Sequence, residues 1–394
     1  MKTGWKRCLT LLLALLVLQG GVPAYAAGER PASDYREDYA FLWDTLREND
    51  PFLPHLQELG INADRLEEEY GELLETVTDD ASFYLLLRAL FAAMRNDCHL
   101  ALLSPAAFFA LRGYIEENPE LYREKTRALL RDEKVLQAYE SLTLPGRAAE
   151  PVTLPPSVTY YSAEKTLVFR FPSFEAEGAV RDSALVREAL LKYPEAAHIV
   201  FDITGNLGGS DAYWMDVIVN PFGGDYRYES EIYFMDSPLT RDCGYVEGAT
   251  PLADRALDAE RAELLRSCGF THCVSLTVAN DPQKAEPLPE AGKNARRWVL
   301  IDGPTFSAAD SFAAFCKETG WATLVGRQTR GDGGNVGPMI VGLPRTGFLF
   351  RFSYATTLNS DGSLNSLQGT LPDFVPKPGE SILQTCLRMI RAAG

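Results

Sequence analysis

The chain has 394 residues, a formal net charge of −16, and 46% hydrophobic against 23% charged residues. This is the composition of an ordinary globular protein with a sizeable core, long enough for two domains or for one large domain with an extension. So acidic a balance opposes binding to nucleic acid or anionic lipid, both of which need basic patches.

The N-terminus reads as a secretory signal. Lys2, Lys6 and Arg7 form a basic region, Leu9 to Leu18 a short apolar core, and Ala24-Tyr25-Ala26 a small-residue cleavage site. Residues 1–26 are therefore expected to be removed and the mature protein exported. Cys8 precedes the apolar core and is not placed for lipidation, and no later segment has the 18 or so apolar residues of a membrane span.

An amphipathic helix follows over Asp34 to Asn49. Asp34 and Glu37 form a capping-box pair, and Tyr35, Tyr39, Leu42, Trp43 and Leu46 line one face. Further helices are expected over 63–76, capped by Asn62, over 80–95, and within 105–145. Between them, Asp97-Cys98-His99 joins a long helix to a short apolar segment. Pro145, Gly146, Pro151, Pro155 and Pro156 mark a boundary, which divides the chain into 27–150 and 151–394. Beyond it come strand signals at 158–161 and 166–170, then a helix over 180–192. Apolar strands at 198–203, 298–302 and 322–326 alternate with helices, the pattern of an α/β sheet. Residues 211–290 read as one helix and a long irregular insertion. Cys316 and Cys386 fall on buried helical stripes and are expected to be free thiols. Cys243, Cys268 and Cys273 share the insertion, where one disulfide is permitted by export. Cys268 to Cys273 lacks a second ligand pair at zinc spacing, so no metal site is expected there.

Two turns carry chemistry. The strand at 298–301 runs into Gly303-Pro304-Thr305-Phe306-Ser307-Ala308-Ala309-Asp310, which opens a helix ended by Gly320. Ser307 thus stands at a helix N-terminus, where unpaired N–H groups favour developing negative charge. A hydroxyl there suits acyl transfer, although a Ser at this place, taken alone, reads first as a simple helix cap. The strand at 198–203 runs into Thr204-Gly205-Asn206-Leu207-Gly208-Gly209-Ser210, whose glycines let the backbone approach a ligand.

These blocks, in this order, with Val325-Gly326-Arg327-Gln328-Thr329-Arg330-Gly331 and Gly369-Thr370-Leu371-Pro372-Asp373, resemble the tail-specific (C-terminal-processing) serine peptidases. The likeness is greater to their tricorn-like branch and strongest over 165–375. It implies an α/β fold with a crotonase/ClpP-like ββα core and an N-terminal helical domain that contributes a histidine. The inserted peptide-binding PDZ module of many relatives is not expected, because 105–145 shows no strands. By the same resemblance Ser307 is the nucleophile, and the N–H groups of Gly208 and Ala308 are the oxyanion donors. His99 matches the general base of the tricorn-like branch. The lysine base of the processing branch would fall at Asp332, so this chain lacks it. The position of the branch's acidic residue is taken by Ser366, leaving Asp97, Asp332 and Asp361 as further candidates to orient His99.

The resemblance therefore implies an exported serine endopeptidase acting on peptides or proteins, without cofactor or metal, and leaves its oligomeric state open. The rival reading is an exported peptide-binding protein on a catalytically impaired peptidase scaffold. An α/β-hydrolase esterase is disfavoured, since Ser307 lacks the Gly-x-Ser-x-Gly elbow and His99 precedes it.

Overall fold

The computed structural model describes residues 30–393 apart from 96, 143–153, 285–287 and 335–336. The expected signal segment and most of the Pro-rich boundary lie outside the described residues. Helix α1 (Ala32–Asn49) starts after Pro31 and has no side-chain cap, so Asp34 sits in the first turn rather than at the cap. Its charge meets the helix dipole there, and the expected capping box does not form. The stripe from Tyr35 to Leu46 is buried as its spacing requires. Helix α2 (Ala63–Leu73) is capped by Asn62, and α3 (Asp80–Ala93) by a reciprocal Asp79–Ser82 box. After the two-residue strand β1 (Ala101–Leu102), three helices pack together: α4 (Pro105–Glu117), α5 (Glu124–Arg131) and α6 (Glu133–Leu142).

The central sheet has the order β2-β3-β4-β8-β9. Its strands are β2 (Ser157–Tyr161), β3 (Thr166–Arg170), β4 (His198–Asp202), β8 (Arg296–Ile301) and β9 (Thr323–Gly326). All neighbours are parallel except β2 with β3. Strands buried on both faces read as unbroken apolar runs, and Ile199-Val200-Phe201 and Trp298-Val299-Leu300-Ile301 do so. One face packs on α7 (Ala179–Lys192) and on the helix that begins at Ala308, and the other on Cys386, Leu387 and Ile390 of the C-terminal helix.

The insertion is more regular than its sequence suggested. Strands β5 (Arg227–Phe234), β6 (Thr250–Pro251) and β7 (His272–Ala279) form an antiparallel sheet closed by β12 (Ala355–Thr356), with helix α8 (Ala259–Ser267) before β7. Cys243, Cys268 and Cys273 are free thiols, not a disulfide. Cys243 packs on the N-terminal core, while the other two belong to a separate cluster with Phe52 and Phe270.

The third sheet, β1-β11-β10, decides how the N-terminal helices sit. Strand β1 pairs antiparallel with β11 (Leu349–Phe352), itself paired with β10 (Met339–Gly342). Leu42, Trp43, Leu87 and Phe91 share one core with Val341, Phe348, Phe350 and Phe352. The division into 27–150 and 151–394 is therefore not a division between cores. Phe350 is fully buried there. Phe350→Ala should cost about 3–5 kcal/mol. Urea unfolding should show the loss in one transition that takes the N-terminal helices and the β10–β11 hairpin together.

Candidate active site

Strands β4 and β8 are parallel neighbours, with Asp202 beside Leu300, so both leave the sheet at the same edge. Ligands of open parallel sheets bind outside these carboxyl ends. The loop after β4 carries the glycine-rich turn, and the loop after β8 carries Ser307.

Ser307 immediately precedes helix α9 (Ala308–Thr319), and its hydroxyl makes no capping bond. It bonds instead to His99, with Oγ 3.0 Å from Nε2. The backbone of Ser307 has φ of 56° and ψ of −130°, a conformation that costs a non-glycine residue roughly 1–3 kcal/mol. His99, Cys98 and Asp332 also have positive φ, at 55°, 49° and 63°. Cys98 and His99 are the central residues of a turn closed by Leu100 N–H donating to Asp97 C=O. Positive φ at both is the backbone of a type I′ turn, built here without glycine. Ser353 N–H, donating to Cys98 C=O over 2.8 Å, ties this turn to the end of β11.

On its other side, His99 Nδ1 bonds Asp332 Oδ2. Ser353 Oγ donates to the same oxygen over 2.6 Å and lies 3.1 Å from His99 Nδ1. Ser366 Oγ donates to Asp332 Oδ1 over 2.8 Å. Burial by itself would raise the Asp332 carboxyl. The charge and hydrogen bond of His99, with the two hydroxyl donors, outweigh it and hold the group below the ordinary carboxylate value. Gly331 makes the approach possible, because a Cβ there would lie 2.2 Å from Asn365 C=O. Phe306 packs on the His99 ring at 4.6 Å, and the Arg330 guanidinium lies 4.8 Å above Phe306. Asp97 holds Arg330 in that place through a 2.7 Å ion pair.

The four candidates for orienting His99 are thus separated. Asp332 touches the ring, Ser366 braces Asp332, and Asp97 acts on Arg330. Asp361 is turned to Ser363, whose N–H and hydroxyl it accepts.

Ala308 N–H, at the first position of α9, has no intrahelical acceptor and adjoins Ser307. Gly208 is pressed against both residues. A Cβ on it would stand 2.8 Å from Ser307 Cβ and 3.0 Å from Ala308 N, so only glycine fits. Its N–H, however, donates to Asn206 Oδ1 over 2.8 Å. Of the two amides expected as oxyanion donors, Gly208 N–H is thus held by Asn206, whereas Ala308 N–H lies at the start of α9. Sequence reasoning missed Asn206, Ser353 and Phe306. Asn206 and Phe306 were visible as neighbours of motif residues, whereas nothing local marks Ser353.

The profile of peptidase family S41 matches residues 165–375, more than half of the chain and both chemistry-bearing turns. The chain belongs to peptidase family S41. Membership makes peptides or proteins its substrates, and the mixed α/β architecture agrees with that of solved relatives. A candidate peptidase from Parabacteroides merdae ATCC 43184 superposes over 91% of this chain and 98% of its own, with TM-score 0.54 and 16% identity. Mature CPAF covers 87% of this chain and 92% of its own, with TM-score 0.50 and 14% identity. At such identities the likeness is one of fold. No curated protein sequence matches the chain significantly.

One further carboxyl bears on the site. Asp50, buried at the end of α1, accepts Phe52 N–H over 2.8 Å. Burial first, and then the Asp332 charge, push its pKa up to about 7 despite that bond. Its ionised form is therefore disfavoured in the fold, and the native state loses stability as pH rises from the ordinary 3.8 through about 7. Asp50→Asn keeps the acceptor and removes the charge. Urea unfolding should find the variant gaining on the parent protein across that window, with no gain below it.

Proposed function

We propose that this S41 peptidase is an exported serine endopeptidase in which Ser307 is the nucleophile, His99 the general base and Asp332 the group that orients the imidazole. His99 Nε2 takes the Ser307 proton as Oγ attacks the substrate carbonyl. The oxyanion forms against Ala308 N–H and, once released from Asn206, Gly208 N–H. His99 then protonates the leaving amine, and water hydrolyses the acyl-enzyme by the same route in reverse. Asp332, kept ionised by His99 and by its two hydroxyl donors, fixes the tautomer and stabilises the imidazolium.

The observation that carries this reading is the unbroken relay from Ser307 Oγ through the His99 ring to Asp332. It also weighs against an impaired binding protein, the case for which was the missing acidic and lysine positions, since Asp332 supplies the acid. Strained backbone at all three residues adds support, since such strain collects at functional sites. Export rests on the N-terminal sequence. Among the described residues no helix is long and apolar enough to cross a membrane.

Purified protein should react with a fluorophosphonate at Ser307, and Ser307→Ala should abolish labelling. His99→Ala should slow labelling by about 10²–10⁴, and Asp332→Asn should lower kcat on a cleaved peptide by about 10⁴. Labelling at another serine, or undiminished labelling in His99→Ala, would overturn the proposal.

A further inference from the structure

Strand β11 runs from the helical cap of the molecule to the site. Alternation along a strand puts Leu349, Arg351 and then Ser353 on one side, with Phe350 and Phe352 on the other. Phe350 and Phe352 are buried in the core shared with the N-terminal helices. On the opposite side, Leu349 is buried against α4 to α6, and Ser353 touches both His99 and Asp332. Arg351 lies between them, about 7 Å along the strand from Ser353. Its cross-strand neighbours are Ala101 and Ile340, both small or apolar and neither able to take a charge.

This arginine has no hydrogen bond or ion pair with any described residue, in a chain with 54 carboxylates to offer. It is half-buried, and burial pulls its pKa down from the ordinary value while the Asp332 charge pulls it back. Asp332 is already occupied by His99, Ser353 and Ser366. A guanidinium presents five fixed donors, cannot shed its proton, and favours bidentate pairing with a carboxylate. Left half-buried without an anion it is costly, and a desolvated ion pair with a bound anion would relieve that cost.

We infer that Arg351 is a specificity-determining residue that receives a substrate carboxylate within one or two residues of the bond presented to Ser307. The carboxylate is either the C-terminal carboxyl of the substrate or an Asp or Glu side chain. The inference rests on the peptidase reading for where the substrate lies, but not on turnover. An anion seated there has its binding partner supplied by β11, while the neutral side of the strand keeps the cap in place.

The test separates binding from hydrolysis by using the full chain with Ser307→Ala. Fluorescent peptides would be paired as free acid against C-terminal amide, and as internal Glu against Gln at each position near the cleaved bond. Carboxylate members should bind on the order of 10- to 100-fold tighter than their amide partners. Arg351→Gln should bring that ratio towards one, and Arg351→Lys should retain part of it, with thermal melting confirming that each variant is folded. Whichever pair discriminates tells a C-terminal carboxyl from an acidic side chain. Equal binding of all pairs, or a preference that survives Arg351→Gln, overturns the inference. A preference that depends on Arg351 in a protein that never labels with fluorophosphonate would instead sustain this inference and sink the hydrolytic reading.

Discussion

The imidazole of His99 is bonded on both sides, and those two bonds join parts of the chain that are otherwise remote. Ser307 comes from the end of a parallel strand, Asp332 from a glycine-flanked turn, and His99 from a turn after the N-terminal helices. The β1–β11 pairing brings the last of these to the others. The common core of α1, α3, β10 and β11 then holds that pairing against the loss of chain entropy. The geometry of the site is therefore a product of the core, and loosening the hairpin would separate His99 from Asp332.

The cost of this arrangement is visible in the backbone. Three of the residues in the relay, together with Cys98, adopt positive φ without being glycine. Each is held by contacts that over-determine it. The His99 turn is fixed by Ser353 N–H and packed under Phe306, itself covered by an arginine that Asp97 anchors. Asp332 is clasped by two hydroxyls. Ser307 is trapped between Gly208 and the first turn of α9. In the mechanism proposed above, preorganisation of this kind would let the Ser307 proton pass to His99 with little rearrangement.

Much of the architecture was legible in the sequence, because apolar runs and helical stripes report burial directly. The parallel strands, α7, α9 and the N-terminal helices stand where periodicity put them. Ser307 was legible as a strand-to-helix residue, but whether it capped its helix could not be read, since that depends on φ. The identity of the group behind His99 was also hidden. Asp97, Asp332, Asp361 and Ser366 are all polar residues in loops, and only the fold distinguishes the one that meets the ring. The insertion was misread although its evidence was present. Tyr228, Ser230 and Ile232 alternate with charged or exposed neighbours, as a half-buried strand requires, and the long loops between strands obscured the signal. The β1–β11 pairing had no local trace, because a two-residue strand carries no period.

Asp332 lies 233 residues from its partner imidazole. A ribosome making this chain releases the histidine long before the acid that completes it, and β11 emerges later still. A nascent or truncated copy consequently has a serine and a histidine but no means of aligning them. Alignment of Ser307 with His99 and Asp332 is thus a property the chain gains only after the β10–β11 hairpin has been made.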